Sequence, residues 1–484
     1  MDISRAVVRR FKAVFVFFVL VLLWTTPVVA QPVADSSAVL IRDVRLVDFT
    51  DEGTRIRDAM NVLVRDGRIA AVSGDAAAVD DDDARVVDGQ GGTLVPGLVD
   101  MHVHIWDEAE LGAYLASGVT TVRNLSGMPL HARLADRIVQ GELDGPRIIT
   151  SGPILNSPGP NAQLNHVLVG TADAARVAVR AQYEAGYRRV KVYSNLNRDA
   201  YEAIRDEAAR LGMTITGHTP EGPREAGMPY ERPFHIGFEE LLDDGFETIE
   251  HVESIVWHGL RDRYDPKAAR ALAARIAEAD VAIDPTLIAF ANLQRIAATQ
   301  GAHLQRPGTE TLNPFIQSME TAQSERWSGE DVGRAAEQLE FFVLFTRMLD
   351  DAGVMLLTGS DAGIATNIPG VSLHDELDLF EDAGLDRETI LRAATANAAR
   401  ALGEVDVFGR IEPGQRADLL LVAGNPFGDL GLLRRPVAVI AGGRFYDADV
   451  LASLRVTATR TDPERTQRNA MEALEAQGSP LPGS

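Results

Sequence analysis

Leu94-Val95-Pro96-Gly97-Leu98-Val99-Asp100-Met101-His102-Val103-His104 reads as an apolar strand that ends in two histidines. Side chains alternate faces along a strand, so His102 and His104, two apart, point the same way. Two imidazoles converging at a strand end make half of a metal site. An isolated His-x-His also fits ordinary core or surface histidines, so the rest of the chain has to decide.

The rest of the chain is repetitive. After His104, strand-like stretches at 120–124, 146–150, 189–193, 213–218, 247–251, 281–286 and 354–361 alternate with helical ones. One helix is capped by Thr171 and stops at Gly186; another starts at Asp199 and stops at Gly212. Eight strands separated by helices predict an α/β chain folded as a (β/α)8 TIM barrel over 96–403, with its reactive residues at the C-terminal ends of the strands. More than sixty residues separate strands seven and eight, longer than a crossover needs. They are expected to cap the site or to make a homo-oligomer contact. The flanks are β in pattern. Residues 61–64 and 69–72 bracket Asp66-Gly67, a hairpin signal, and 417–422, 437–440 and 444–446 are strand-like again. Residues 38–95 and 404–450 are therefore expected to form one small β-sandwich domain split in sequence. Residues 455–484, polar with scattered Pro and Gly, are expected to be a disordered tail.

Residues 1–30 stand apart. Arg5, Arg9, Arg10 and Lys12 form a positive head, 13–24 is an unbroken apolar run, and Val28-Val29-Ala30 offers small residues for cleavage. This is a secretory signal pattern, and twelve apolar residues fall short of the roughly 20 that a spanning helix needs. The expectation is export to the periplasm or outside the cell, with cleavage after Ala30 and no membrane attachment afterwards; an uncleaved anchor is the alternative. Losing a leader of four positive charges and one negative takes the chain from −23 to −26. So acidic a protein is not expected to bind nucleic acid or anionic membranes. There is no cysteine, which excludes disulfides and thiol nucleophiles, so any metal must be held by His, Asp, Glu or Lys.

The strand ends carry the chemistry. Strand one ends in His102 and His104, strand four carries Lys191, strand five ends in His218, strand six in His251 and strand eight in Asp361. A barrel brings all of these to one rim despite gaps of 87, 27, 33 and 110 residues. Four of the ten histidines fall at strand ends, and divalent ions accept these nitrogen and oxygen donors.

The chain resembles the amidohydrolase superfamily, in its imidazolonepropionase-like and prolidase-like (Xaa-Pro dipeptidase-like) branch. The residues that carry the resemblance are Pro96 to His104, Gly118 to Arg123, Ile249-Glu250-His251, Gly359 to Gly363, Ala393 to Ala399 and Gly409 to Asp418. It covers roughly 38–450 and is specific for the superfamily, weak for the substrate. It implies that His102, His104 and Asp361 hold one divalent ion and His218 and His251 a second, zinc in both cases, with Lys191 bridging them as a CO2-derived carbamate. An uncharged amine adds CO2 readily, whereas an ammonium would be repelled by the ions. The implied activity is hydrolysis of an amide or peptide-type C–N bond in a small molecule, dipeptide or N-acyl amino acid by a metal-bridging hydroxide. Asp361 would shuttle the proton to the leaving amine.

Alternatives stay open. His218-Thr219-Pro220-Glu221 has the His-x-x-Glu spacing of mononuclear deaminases in the same superfamily, although Pro220 interrupts it and Lys191 has no place there. A lactonase or phosphotriesterase would use the same dinuclear site. A non-catalytic binding protein on this fold would be expected to have lost ligands, and none of the six is missing. For substrate contacts, Tyr193 lies two past Lys191 on the same face, and His166 follows strand three. His374 reads as packing, and His131, His235, His258 and His303 have no placement that argues for chemistry.

Overall fold

The computed structural model describes residues 38–478 apart from 51, 80, 161, 164, 226–230 and 365. The leader read at 1–30 lies outside the described residues. Among those described, no helix is long and apolar enough to cross a membrane.

Both flanks build the small sheet. Asp66 and Gly67 take left-handed backbone, φ 51° and 77°, and Arg65 pairs with Arg68 across them, the two-residue turn that Asp-Gly favours. The strands Ala38–Thr50, Gly53–Arg65, Arg68–Ser73, Arg85–Asp88 and Thr93–Pro96 join Leu419–Val422, Ala438–Ala441 and Arg444–Asp447. The sandwich expected from both chain ends is, in its hydrogen bonding, one continuous eight-stranded sheet in which Leu419–Val422 runs antiparallel to Thr93–Pro96. Ala38–Thr50 is bulged twice, and Ile41, Val44, Leu46, Val62, Leu94, Leu419 and Ile440 share a core.

The apolar run that ends in His104 is not one strand. It changes sheets at Gly97: the Gly97 N–H donates to Asp418 O at 2.9 Å in the small sheet, and the Leu98 N–H to Gly118 O at 3.1 Å in the barrel. A Cβ at Gly97 would lie 2.2 Å from Thr120 Oγ1, so only glycine fits this crossing.

The barrel strands are Leu98–Val103, Val119–Asn124, Arg147–Thr150, Arg189–Val192, Thr214–Gly217, Phe246–Glu250 and Ala282–Asp284, paired in parallel. The third is extended by Ile154–Asn156, which pairs with the fourth through Leu155 and Val192. The eighth, expected at 354–361, forms no regular ladder. It still closes the ring, because Leu357 N donates to Ile283 O and Met101 N to Thr358 O, both at 2.9 Å, and His104 N to Ala362 O at 2.7 Å. Its Thr358-Gly359-Ser360-Asp361 segment is polar, and Thr358 and Ser360 bond to Val99 and Asp100 of the neighbouring first strand.

The insert between strands seven and eight is helical: Leu287–Ala298, Pro314–Met319, Thr321–Ser328 and Val332–Asp351. The tail expected to be disordered is instead two helices through Ala476, Ala448–Ala458 and Pro463–Ala476. Asp447 caps the first through Val450 N, and Asp462 caps the second through Glu464 N and Arg465 N with Pro463 at its first position. Leu451 and Ala458 in one, and Thr466, Ala473 and Leu474 in the other, are buried at helical spacing. The polar composition that suggested disorder belongs to their outer faces.

Candidate active site

The closed barrel brings every expected ligand to one rim. His102 is fully buried, with ring centroids 5.4 Å from His104 and 4.6 Å from His251; His251 lies 4.4 Å from His218. Tyr193 continues the cluster, 4.0 Å from His218 and 4.6 Å from His166. Lys191 Nζ is 3.2 Å from His102 Nε2, and Asp361 Oδ1 is 3.0 Å from His104 Nε2 and 3.5 Å from His102 Nε2. Gly217, before His218, makes room for the lysine: a Cβ there would meet Val192 O at 2.3 Å and Lys191 Cδ at 3.0 Å. Three consecutive strand ends carry a non-glycine residue in the left-handed region, His251 (φ 68°), Thr286 (47°) and Asp361 (52°). Such backbone costs of order 1 kcal/mol per residue and gathers where side chains are aimed for function.

Hydrogen bonds assign the tautomers. His102 Nδ1 meets the Glu250 carboxylate at 3.1 Å, so Nδ1 carries the proton and Nε2 presents a lone pair toward Lys191 and Asp361. His251 Nδ1 lies 2.6 Å from Thr286 Oγ1, whose own proton goes to Pro285 O at 2.8 Å. The Thr286 oxygen must therefore accept, which leaves His251 Nε2 bare as well. His166 is the opposite case. Asn156 Nδ2 at 3.2 Å and Gln163 N at 3.4 Å both donate to its Nδ1, so the proton sits on Nε2, which is buried without a partner beside Tyr193.

Glu250 anchors this arrangement from inside the barrel. It accepts from Arg123 Nη2 and Thr216 Oγ1, each at 2.8 Å, and from Thr248 Oγ1. Arg123, fully buried, also donates to Met101 O at 2.8 Å. Burial works against the Glu250 charge, but Arg123 and Lys191 outweigh it and hold the carboxyl below its usual range. Neither Arg123 nor Glu250 was singled out in the sequence. The signal was there, a charged residue near the end of each of two apolar strands in a barrel whose interior has to be paired. Asp284 has both carboxylate oxygens buried without a hydrogen-bond partner, and burial next to Glu250 raises it well above the usual carboxylate range.

Burial governs the charges at the rim. It lowers His102 and His218 well below the usual histidine range and His251 to about 4, so all three are neutral donors. It brings Lys191 down to about 8, and it lowers His166 to about 3 and raises Tyr193. For Asp361 burial acts upward, and His102 and His104 outweigh it, keeping a carboxylate.

These residues fit a metal centre. His102, His104 and Asp361 offer three donor atoms within 4.8 Å of one another. Of the neutral imidazoles, His102 and His251 have their second nitrogen fixed by a partner, and His218 Nδ1 is buried with no hydrogen bond. His102, Glu250 and Asp284 also lie within that distance, but Glu250 is already occupied by Arg123 and two hydroxyls. Three of the remaining histidines do other work: His374 Nε2 donates to Ser117 O, His258 Nε2 to Ile236 O and His131 Nε2 to Ile105 O, each at 2.8 Å. Glu221, of the deaminase-like spacing, accepts from Arg224 Nε and Trp257 Nε1.

The chain is similar to known proteins in family and fold. The amidohydrolase family profile matches residues 93–450. A bottromycin amidohydrolase structure superposes with a TM-score of 0.70 at 25% identity, over 88% of this chain and 92% of that one. A Xaa-Pro dipeptidase with bound methionine in its active site shares the fold, with a TM-score of 0.64 at 20% identity over 85% and 100% of the two chains. An uncharacterised protein of Mycobacterium bovis (strain ATCC BAA-935 / AF2122/97) is 26% identical over 409 residues, 80% of this chain and 92% of its own. A barrel rim built from His102, His104, Lys191, His218, His251 and Asp361, within a profile match of that span, settles the family: the chain belongs to the amidohydrolases, metal-dependent hydrolases that act on carbon–nitrogen bonds.

Proposed function

We propose that the protein is an exported dinuclear amidohydrolase that cleaves a peptide-type C–N bond of the dipeptide or N-acyl amino acid class. The observation that carries the reading is the convergence of two imidazoles with bare Nε2 atoms, His102 and His251, on His104, Asp361 and a buried lysine. His102, His104 and Asp361 would hold one ion, His218 and His251 the other, and Lys191 would bridge them as its carbamate. Zinc suits this nitrogen-rich donor set. Two such ions, when bound, polarise a carbonyl and bring the pKa of water toward neutrality.

The chain's own residues supply the rest. Asp361, kept ionised beside His104, takes the proton from the attacking water and returns it to the leaving amine. Tyr193, which burial keeps protonated, and His166, with its proton on Nε2, are neutral donors side by side. They suit the carbonyl oxygen or the carboxylate of a peptide-like substrate. Phe290, on the insert helix, sets its ring edge-on to His251 at 6.4 Å and to Phe342 at 5.2 Å, an apolar wall for a substrate side chain. The amide chemistry in the names of the two solved relatives supports this substrate class.

The test is elemental analysis of full-length protein never exposed to chelator, joined to a screen of dipeptides, N-acyl amino acids, lactones and phosphotriesters. Close to two equivalents of zinc and fastest turnover on an amide are expected. One equivalent with deamination of a base would sink the reading in favour of a deaminase; a preference for lactones or phosphotriesters would move it to those esters. The export part is checked by sequencing the mature N-terminus, expected at Gln31; a start at Met1 overturns it.

A further inference from the structure

Asp361 holds a backbone conformation that a non-glycine residue adopts at a cost, and two hydrogen bonds fix its peptide units. Its N–H donates to His102 O at 2.8 Å. Its carbonyl accepts from Asn367 Nδ2 at 3.2 Å. Asn367 is fully buried, and its Oδ1 accepts from Asn292 Nδ2 at 2.8 Å. Asn292, also fully buried, lies on Leu287–Ala298, the first helix of the insert. Its Oδ1 accepts from Arg295 Nη1 at 3.1 Å and meets His303 Nε2 at 3.0 Å, and its Nδ2 has a second acceptor in Thr366 O at 3.1 Å.

The direction of this chain is not arbitrary. A guanidinium only donates, so the Asn292 oxygen must face Arg295 and its amide nitrogen must face Asn367. The Asn367 oxygen thereby accepts from Asn292, and more weakly from Thr366 Oγ1 at 3.3 Å, while its nitrogen goes to Asp361. Reversing either amide would set donor against donor or acceptor against acceptor in a site without water access. Gly363 is held as well: its N donates to Asn367 O at 3.1 Å, and a Cβ there would lie 1.8 Å from His104 O.

We infer that Asn367 and Asn292 are positioning residues, a buried two-amide relay through which the insert between strands seven and eight aims the Asp361 carboxylate at the His102–His104 pair. The inference rests on the reading of Asp361 as ligand and proton carrier, and it gives the insert a role inside the site.

The experiment compares full-length, zinc-loaded Asn367→Ala, Asn292→Asp and the double variant with the wild type. Two readouts are taken: zinc release to a chromophoric chelator, and kcat and KM on any amide the wild type hydrolyses. Partners that orient metal ligands are typically worth 10–100-fold in affinity or activity. Asn367→Ala should weaken one of the two ions about 10-fold or more and lower kcat by a similar factor, with KM within about threefold. Asn292→Asp is isosteric and cannot donate, so it should reproduce the loss, and the double variant should be no worse than Asn367→Ala because the two act as a unit. Asn292→Asp serves alone if Asn367→Ala does not fold. Zinc release and kcat at wild-type values in a folded variant would overturn the relay, as would losses that add in the double variant. Should no amide in the screen be hydrolysed, the substrate reading fails while zinc release still decides the relay.

Discussion

Asp361 asks the most of a single residue in this structure. It touches both histidines of the first strand through their Nε2 atoms, and it sits in left-handed backbone. Its two roles separate on substitution. Asp361→Asn keeps the shape and one ligand oxygen but accepts no proton. If Asp361 were a ligand alone, excess zinc would restore the rate. Because general acid–base assistance is worth about 10²–10⁴-fold, the zinc-saturated variant should stay at least about 100-fold below wild type in kcat. Near-normal turnover of that variant at saturating zinc would leave Asp361 a ligand only. Lys191 is tested in the same assay. Lys191→Ala removes the proposed bridge, so the second equivalent of zinc and nearly all turnover should go, and short carboxylates should return part of it. Two retained equivalents would rule the bridge out.

Among the elements, the helix Pro463–Ala476 changes the picture of the C-terminus. It lies beyond the stretch matched by the family profile, yet it grips the loop that follows His104. Arg465 Nε donates to Asp107 Oδ2 at 2.8 Å, Arg465 Nη1 to Glu108 Oε1 at 3.1 Å, and Arg133 makes a two-pronged pair with Glu472. Asp107 is fully buried and also caps Ala109 N at 2.9 Å. Removing its cation leaves a buried carboxylate with one backbone donor, a loss of about 2–3 kcal/mol. Arg465→Ala should therefore speed amide hydrogen exchange in 105–110 and 463–476 while barrel strands such as Phe246–Glu250 keep their protection. Unchanged exchange in both segments would show that the helix docks by its apolar face alone.

For the molecule as a whole, buried titratable groups set the pH of greatest stability. Burial holds His131, His258 and His374 near 4 against the usual 6.5, so the unfolded chain binds more protons there and stability rises with pH between about 4 and 6.5. Burial also raises Glu110 and Glu376 to about 8 from the usual 4.5. Glu376 accepts from Leu287 N and Ile288 N at the start of the insert's first helix. For these acids the folded chain binds more protons, so their contribution is complete below about 4.5 and is lost as pH rises toward 8. The histidines dominate on the acid side and the acids on the basic side. The urea midpoint should peak near pH 6–7 and fall both ways, and a midpoint still rising at pH 8 would contradict the assignment of Glu110 and Glu376.

What the sequence determined by itself is local or periodic. His102 and His104 share a face because a strand alternates, Asp66-Gly67 turns because those residues tolerate positive φ, and eight strand–helix repeats leave a barrel as the economical fold. From there Lys191, His218, His251 and Asp361 could be placed at one rim without coordinates. Only the tertiary structure decided how that rim is held. The proton on His102 is assigned by Glu250, 148 residues away, and Glu250 keeps its charge because Arg123 crosses the barrel interior. Asn292 and Asn367 are ordinary polar residues in the sequence, and they come to face each other, buried, only where helix and loop meet. The C-terminal helix escaped notice because its polar face dominates its composition, and the buried side takes its meaning from the surface it meets. Strand eight has no regular ladder, and Thr358, Ser360 and Asp361 turn their polar groups to the first strand beside it. Periodicity reports what a residue can do along its own element; which partner satisfies a buried donor or charge depends on surfaces that meet only after folding.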